Sequence, residues 1–164
     1  MNGYAVTVCA PSALNRAEMA VCVHLVVSGG AVKQKYAELG LRDARTLAVV
    51  RCAGQIVGIG AIKRVRPTYA RRRAQNSGYG FPPETPELGY VARDAEHKRQ
   101  NLGLRIVQSL LFSHEGPLWA TTDSNRMKEI LEGAGFLRRG GEWPGGRGQL
   151  SLWVKGLLDT SNPS

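Results

Sequence analysis

From Lys98 to Arg105 the sequence reads K-R-Q-N-L-G-L-R, a polar, donor-rich turn that runs at once into an amphipathic helical pattern. Lys98, Arg99 and Arg105 bring full positive charges to it. Backbone N–H groups in such a turn converge on an anion, and a helix start adds a favourable partial charge. The chemistry on offer is the holding of a phosphate or pyrophosphate. The same residue types also make an ordinary solvated turn. The segment is neither GxxxxGK[ST] nor GxGxxG, which excludes the two phosphate loops most readily read from a sequence.

A second group of charges lies upstream. Arg64, Arg66, Arg71, Arg72 and Arg73 fall in a stretch, 64–86, that also holds Tyr69, Tyr79, Phe81 and the prolines Pro67, Pro82, Pro83 and Pro86. It has no clear period and reads as a long, basic, irregular excursion; such loops in compact domains are more often functional than decorative. Its arginines suit phosphates and its aromatic rings suit stacking on bases, the plain alternative being a solvated loop. Lys and Arg number 22 against 13 acids, for a net charge of +9. That balance favours an anionic partner: nucleic acid, a membrane surface or a phosphate-rich cofactor.

Other chemistries find little support. Cys9, Cys22 and Cys52 form no CxxC pair and no zinc spacing, so no metal is expected. Each sits among apolar residues and reads as a buried free thiol in a reducing compartment. Nothing places His24, His97 or His114 beside one of them. The most apolar early stretch, 17–27, contains Glu18 and His24 and is too short to span a bilayer. No membrane contact and a cytoplasmic location are the expectations.

The elements that must position these residues can be read in order. Of the 164 residues 43% are hydrophobic and 21% charged, which suits one globular domain, 1–158, with a polar tail at 159–164. Tyr4 to Cys9 is strand-like. Pro11-Ser12 opens a helical pattern stopped by Gly29-Gly30, with Ser12 as its expected N-cap. Ala31 to Leu39 is a second short helix ended by Gly40. Thr46 to Cys52 and Ile56 to Ile62 form a hairpin around Ala53-Gly54-Gln55. After the basic excursion, Glu87 to Arg93 is a strand and Leu104 to Phe112 a helix. Pro117 to Thr121 is a strand, and Asp123-Ser124 caps a helix from about Asn125 to Glu132. Trp143 lies in a Gly/Pro turn, Leu150 to Lys155 is a final strand, and Trp143 and Trp153 are expected in the core. The order β-α-α-β-β-(loop)-β-α-β-α-β-β predicts a mixed α/β or α+β domain.

The run E-L-G-Y-V-A-R-D-A-E-H-K-R-Q-N-L-G-L-R-I-V-Q-S-L-L resembles the central segment of GNAT-type N-acetyltransferases, a strand followed by Q/R-x-x-G-x-G/A entering a helix. Lys98 takes the first motif position, Asn101 replaces the first Gly, and Gly103 occupies the second. The later T-D-S-N-R-M-K-E-I-L-E-G-A-G-F resembles the family's helix ending in Gly-Phe, and the element order matches throughout. The sequence departs from the family at Lys98 and Asn101, and again at Leu131, where many relatives carry a Tyr that protonates the leaving thiolate.

The resemblance implies a mostly antiparallel mixed sheet flanked by helices, with an acyl-CoA cleft where the central strands splay. It implies acetyl-CoA as co-substrate and an amine as acceptor. The backbone of Val91, Ala92 and Arg93 would bond the pantetheine arm. The turn of Lys98, Arg99, Gln100, Asn101, Leu102, Gly103 and Leu104 would hold the pyrophosphate, and Ser124 or Asn125 would lie near the distal arm. Glu87 is the candidate general base, with a backbone N–H near Val91 for the developing oxyanion. Tyr90 either contacts substrate or packs. Arg66, Arg71, Arg72 and Arg73 would border the acceptor side. The acceptor is left open among a small amine, a protein amine and an amine on nucleic acid or aminoacyl-tRNA, and a homodimer is also left open. The alternative is a non-catalytic module of this fold that binds nucleic acid or a partner through its arginines.

Overall fold

The computed structural model describes residues 3–98 and 100–157. Within these residues seven strands form one sheet: β1 (Tyr4–Cys9), β2 (Thr46–Cys52), β3 (Gln55–Lys63), β4 (Glu87–Arg93), β5 (Leu118–Thr122), β6 (Leu137–Pro144) and β7 (Gln149–Lys155). Their order is β1-β2-β3-β4-β5-β7-β6. Every neighbouring pair is antiparallel except β4 and β5. The buried runs L-A-V-V in β2 and V-G-I-G-A-I in β3 belong to central strands covered on both faces.

Among the described residues five α-helices cover the sheet: α1 (Arg16–Ser28), α2 (Gln34–Arg42), α3 (Pro67–Ser77), α4 (Leu102–Ser113) and α5 (Asn125–Gly133). Leu102, Ile106, Val107 and Leu110 of α4 and Ile130 and Leu131 of α5 join Leu88, Leu118 and Trp153 in one core layer. On the opposite face, Cys22, Leu25 and Val26 of α1 and Ala37 and Leu41 of α2 pack on Leu47, Val49 and Ile59. A third cluster, around Trp119, Trp143, Leu152 and Ala70, seats α3. Both tryptophans expected in the core, Trp143 and Trp153, are buried. Among the described residues no helix is long and apolar enough to cross a membrane.

The excursion at 64–86 is not irregular throughout: residues 67–77 form α3. Pro67 sits at its first turn, where a missing N–H costs nothing, and Gly78 ends it in the left-handed conformation (φ 75°). Arginine is a good helix former, but the run of charges hides the narrow buried stripe of Tyr69, Ala70 and Ser77. Tyr69, Tyr79 and Phe81 turn inward to the third cluster, with the rings of Tyr69 and Phe81 5.8 and 5.0 Å from that of Trp119. They are not a free stacking surface.

Helix boundaries also move. Residues 11–13 make a 3-10 turn, and α1 begins after Asn15, whose side chain accepts from the Glu18 N–H while Glu18 accepts from the Asn15 N–H. That reciprocal capping box displaces Ser12 as the cap. Gly40 lies inside α2 rather than ending it. A Cβ built at Gly40 would stand 2.0 Å from Tyr90 Oη, so this glycine is set by a close approach and not by a turn.

Candidate functional site

β4 and β5 run parallel but are joined at one register pair, Glu87 with Trp119, supported by the Trp119 N–H donating to Pro86 O. Beyond that point the strands part. Residues 88–92 of β4 and 120–122 of β5 line opposite walls of a cavity of about 410 Å³, which Val26, Gly29 and Gly30 at the end of α1 also border.

β4 carries a bulge on the cavity wall. Ile59 pairs with Ala92 and Ala61 with Gly89, so Tyr90 and Val91 together oppose Gly60. Tyr90 adopts φ 55°, a left-handed conformation rare for a bulky residue. The extra residue inverts the strand's alternation: Leu88 and Val91 face the α4 core, whereas Tyr90 and Ala92 face α1 and α2. It also leaves backbone polar groups of the bulge outside the ladder, on the strand that lines the cavity.

Where the two strands meet sits Glu87, 3% exposed. Lys63 stands directly across the β3–β4 ladder from it, and Lys63 Nζ lies 2.5 Å from Glu87 Oε1. Tyr69 Oη donates to Glu87 Oε2 at 3.3 Å. Gly89 makes room for the pair, because a Cβ there would fall 2.9 Å from Lys63 Cδ. Lys63 Nζ also lies 4.2 Å from the Tyr90 ring centroid, within cation–π range. Burial alone would depress the Lys63 pKa, but the Glu87 carboxylate, with the two tyrosines, outweighs it and raises the value above the ordinary lysine range. Burial, then Glu87, pushes the Tyr69 phenol up. Tyr90 Oη donates to Tyr36 O at 3.5 Å, so its ring packs between α2 and Lys63.

The turn expected to hold an anion follows β4. Asn101, φ 51°, takes the left-handed conformation that the replaced glycine would supply, and it precedes α4 without capping it through its side chain. The N–H groups of Leu102, Gly103 and Leu104 thus stand at a helix start with no intrahelical partner. The side chain of Leu102 is buried in the core and Leu104 packs against it, so both offer backbone only. Lys98 and Gln100 are exposed; Arg99 lies outside the described residues. Arg105 is turned away, donating to Tyr4 O at 3.0 Å. Arg126 takes its place: its Nη2 donates to Asn101 Oδ1 at 3.1 Å. Nothing in the spacing of Arg126 marked it, because the approach depends on how α5 packs beside α4.

Val91 and Ala92 line the cavity, whereas Arg93, at the end of β4, is exposed. Of the pair Ser124 and Asn125, Ser124 lines the cavity, and its hydroxyl caps α5 by accepting from the Met127 N–H. Leu131 lines it too and is fully buried. Arg147, from the β6–β7 turn, was not marked by the sequence. It donates to both carboxylate oxygens of Asp123, at 3.1 and 3.0 Å, and to Gly29 O, closing one rim. Arg66, Arg71 and Arg72 are exposed, and Arg73 is half-buried 4.8 Å from the Tyr69 ring centroid. Burial pushes the Cys22 thiol up to about 11 and raises that of Cys9, so neither is a thiolate at neutral pH.

No protein-family model and no curated protein matches the sequence. Solved structures do match the fold over nearly the whole chain. An acyl-CoA N-acyltransferase from Pseudomonas aeruginosa superposes with a TM-score of 0.68 at 15% identity, covering 93% of this chain and 99% of its own. A GNAT-family acetyltransferase from Streptococcus agalactiae gives 0.63 at 12% identity, covering 94% and 96%. FeeM, an N-acyl amino acid synthase from uncultured soil microbes, gives 0.64 at 16%, covering 94% and 91%. The chain has the GNAT fold, a mixed and mostly antiparallel sheet with one parallel pair at its centre.

Proposed function

We propose that the protein is an N-acyltransferase that moves an acetyl group from acetyl-CoA to an amine. The observation that carries this reading is the cavity between β4 and β5, with a bulged strand on one wall and a buried carboxylate where the strands meet. The donors fit the cofactor: strand backbone for an extended arm bearing amides, and unpartnered N–H groups at the start of α4, with Arg126 beside them, for a pyrophosphate. Val91, Ala92 and Ser124 serve the arm, and Lys98, Gln100, Asn101, Gly103 and Leu104 the turn.

Bound acetyl-CoA supplies the thioester whose carbonyl carbon the amine nitrogen attacks, so that a C–N bond forms and the C–S bond breaks. Glu87 takes the proton that the ammonium must lose first, directly or through water. Lys63 and Tyr69 hold the carboxylate in place. A backbone N–H of the bulge, near Val91, meets the charge developing on the carbonyl oxygen. The amine's second proton reaches the departing thiolate through water, since Leu131 offers no phenol.

The fully buried Leu131 favours one second reading, a module of this fold that binds without catalysis. Calorimetry with acetyl-CoA, followed by thiol-release assays against a panel of amines, separates the two. Micromolar binding and release of CoA thiol that depends on the amine support transfer; absence of acetyl-CoA binding sinks it.

A further inference from the structure

The cavity holding Glu87 opens into a second, larger one, a groove of about 1260 Å³ between α2 and α3. The two share a boundary at Ala31, Val32, Lys63, Tyr69, Arg73 and Tyr90. Lys33, Lys35 and Arg42 line the groove on the α2 side, and Arg64, Arg66 and Arg72 on the α3 side. Asp43 is the one acid among its lining residues. Among the described residues, none of these six cations has an acidic side chain within ion-pair range, unlike Arg51, Arg126, Arg138 and Arg147 elsewhere on the surface.

This arrangement opposes the stability of the helices that bear it. Neither α2 nor α3 has a side-chain cap or an acid in its first turn. Lys33 and Lys35 lie at the start of α2 and Arg64 and Arg66 at that of α3, where the helix dipole disfavours them, whereas Arg42 in the last turn of α2 is favoured. Like charges on facing helices also repel across the groove. An anionic chain lying in the groove would relieve both penalties.

We infer that the groove binds a single-stranded nucleic acid and presents an amine carried on it to Glu87. Two features choose this occupant over an acidic peptide. Tyr36, 61% exposed, stands on the groove wall with Leu39 beside it, giving an aromatic face on which a base stacks and to which a carboxylate side chain contributes nothing. The cations are spread over both walls of the groove, as a sugar–phosphate backbone requires. Arg71 provides an internal control. It neighbours Arg72 in α3, yet it does not line the groove.

The role of the groove as acceptor site rests on the acyl-transfer reading; its affinity for nucleic acid does not. The test is fluorescence anisotropy of a labelled single-stranded oligoribonucleotide of about ten nucleotides, a length within the usual site sizes for such tracks. Arg72→Glu is expected to weaken binding about tenfold and to lower the salt slope by about 0.7 for the lost phosphate contact, while Arg71→Glu, of equal charge change, stays within about twofold. Tyr36→Ala is expected to weaken it about fivefold or more with the salt slope unchanged. Each variant is shown to be folded by its unaltered thermal transition. Equal losses in the two arginine variants overturn the inference, as does tighter binding of a poly-glutamate peptide of similar length, or no binding of the oligonucleotide at low salt. Acetyl-CoA calorimetry runs in parallel. Oligonucleotide binding without acetyl-CoA binding keeps the groove and removes transfer; the reverse keeps transfer and removes the nucleic acid.

Discussion

Lys63 and Glu87 are directly opposed in the β3–β4 ladder, and their side chains meet at 2.5 Å on the cavity wall. The pair is nearly dry, with side-chain exposures of 15% and 4%. Its two members should therefore fail differently. Glu87→Gln is expected to leave acetyl-CoA affinity within about threefold and to lower kcat by about 10²–10⁴, the usual contribution of a general base. Lys63→Met leaves a buried carboxylate without its counter-ion and is expected to cost about 3 kcal/mol in urea denaturation. Joint replacement by Met at both positions should recover much of that loss.

The same cluster sets a pH dependence. Lys63 and Tyr69 both have pKa values raised by folding, the first through Glu87 against burial and the second mainly through burial. A raised value means that the native state holds its proton longer than the unfolded chain, so stability is full below the unfolded pKa and falls as pH rises past it. The urea midpoint is expected to be unaffected by these two groups up to about pH 9.5 and to decline above about pH 10, less steeply in Lys63→Met.

At the start of α4, Gly103→Glu puts a negative charge among the N–H groups proposed to meet the pyrophosphate. Acetyl-CoA binding by calorimetry should fall at least about 30-fold, given an anion site built on a helix start. Gly103→Ala adds only a Cβ, whose nearest neighbour is Ile130 Cδ1 at 3.3 Å, and should stay within about threefold.

Gly40→Ala offers a packing test. Alanine favours a helix over glycine by about 1 kcal/mol, yet its Cβ meets the Tyr90 ring edge and hydroxyl. The clash is expected to win, destabilising by about 1–3 kcal/mol. In Tyr90→Ala the obstacle is gone, and the same substitution should become neutral or stabilising. A thermal or urea double-mutant cycle measures the coupling.

Much of the fold was legible because its signals are local. The alternating and β-branched runs of β1 to β3, the Ser124 cap and the periodic apolar positions of α4 each act within a few residues. The motif around Gly103 located the turn even with Asn101 in place of glycine, since Asn tolerates the same backbone. What failed to show was set by distant contact. Gly40 looks like a helix stop until Tyr90 is brought against it. Lys63 has no visible partner until the ladder register places Glu87 opposite. Arg126 and Arg147 reach the site from elements 25 and 24 residues from their partners Asn101 and Asp123. In α3 the arginines masked a helix whose buried stripe is too narrow to read beside them.

The parting of β4 from β5 gives the sheet four edges in place of two. β1 and β6 are its outer margins, and the two strands at its centre each show an unpaired side to the other. Exposed strand edges invite pairing with other chains, but these two face each other across a gap that α1 and the Arg147 turn border. An opening that would invite aggregation at a sheet's margin thus lies at its centre, where the proposed pantetheine arm, extended and bearing its own amides, would be its partner.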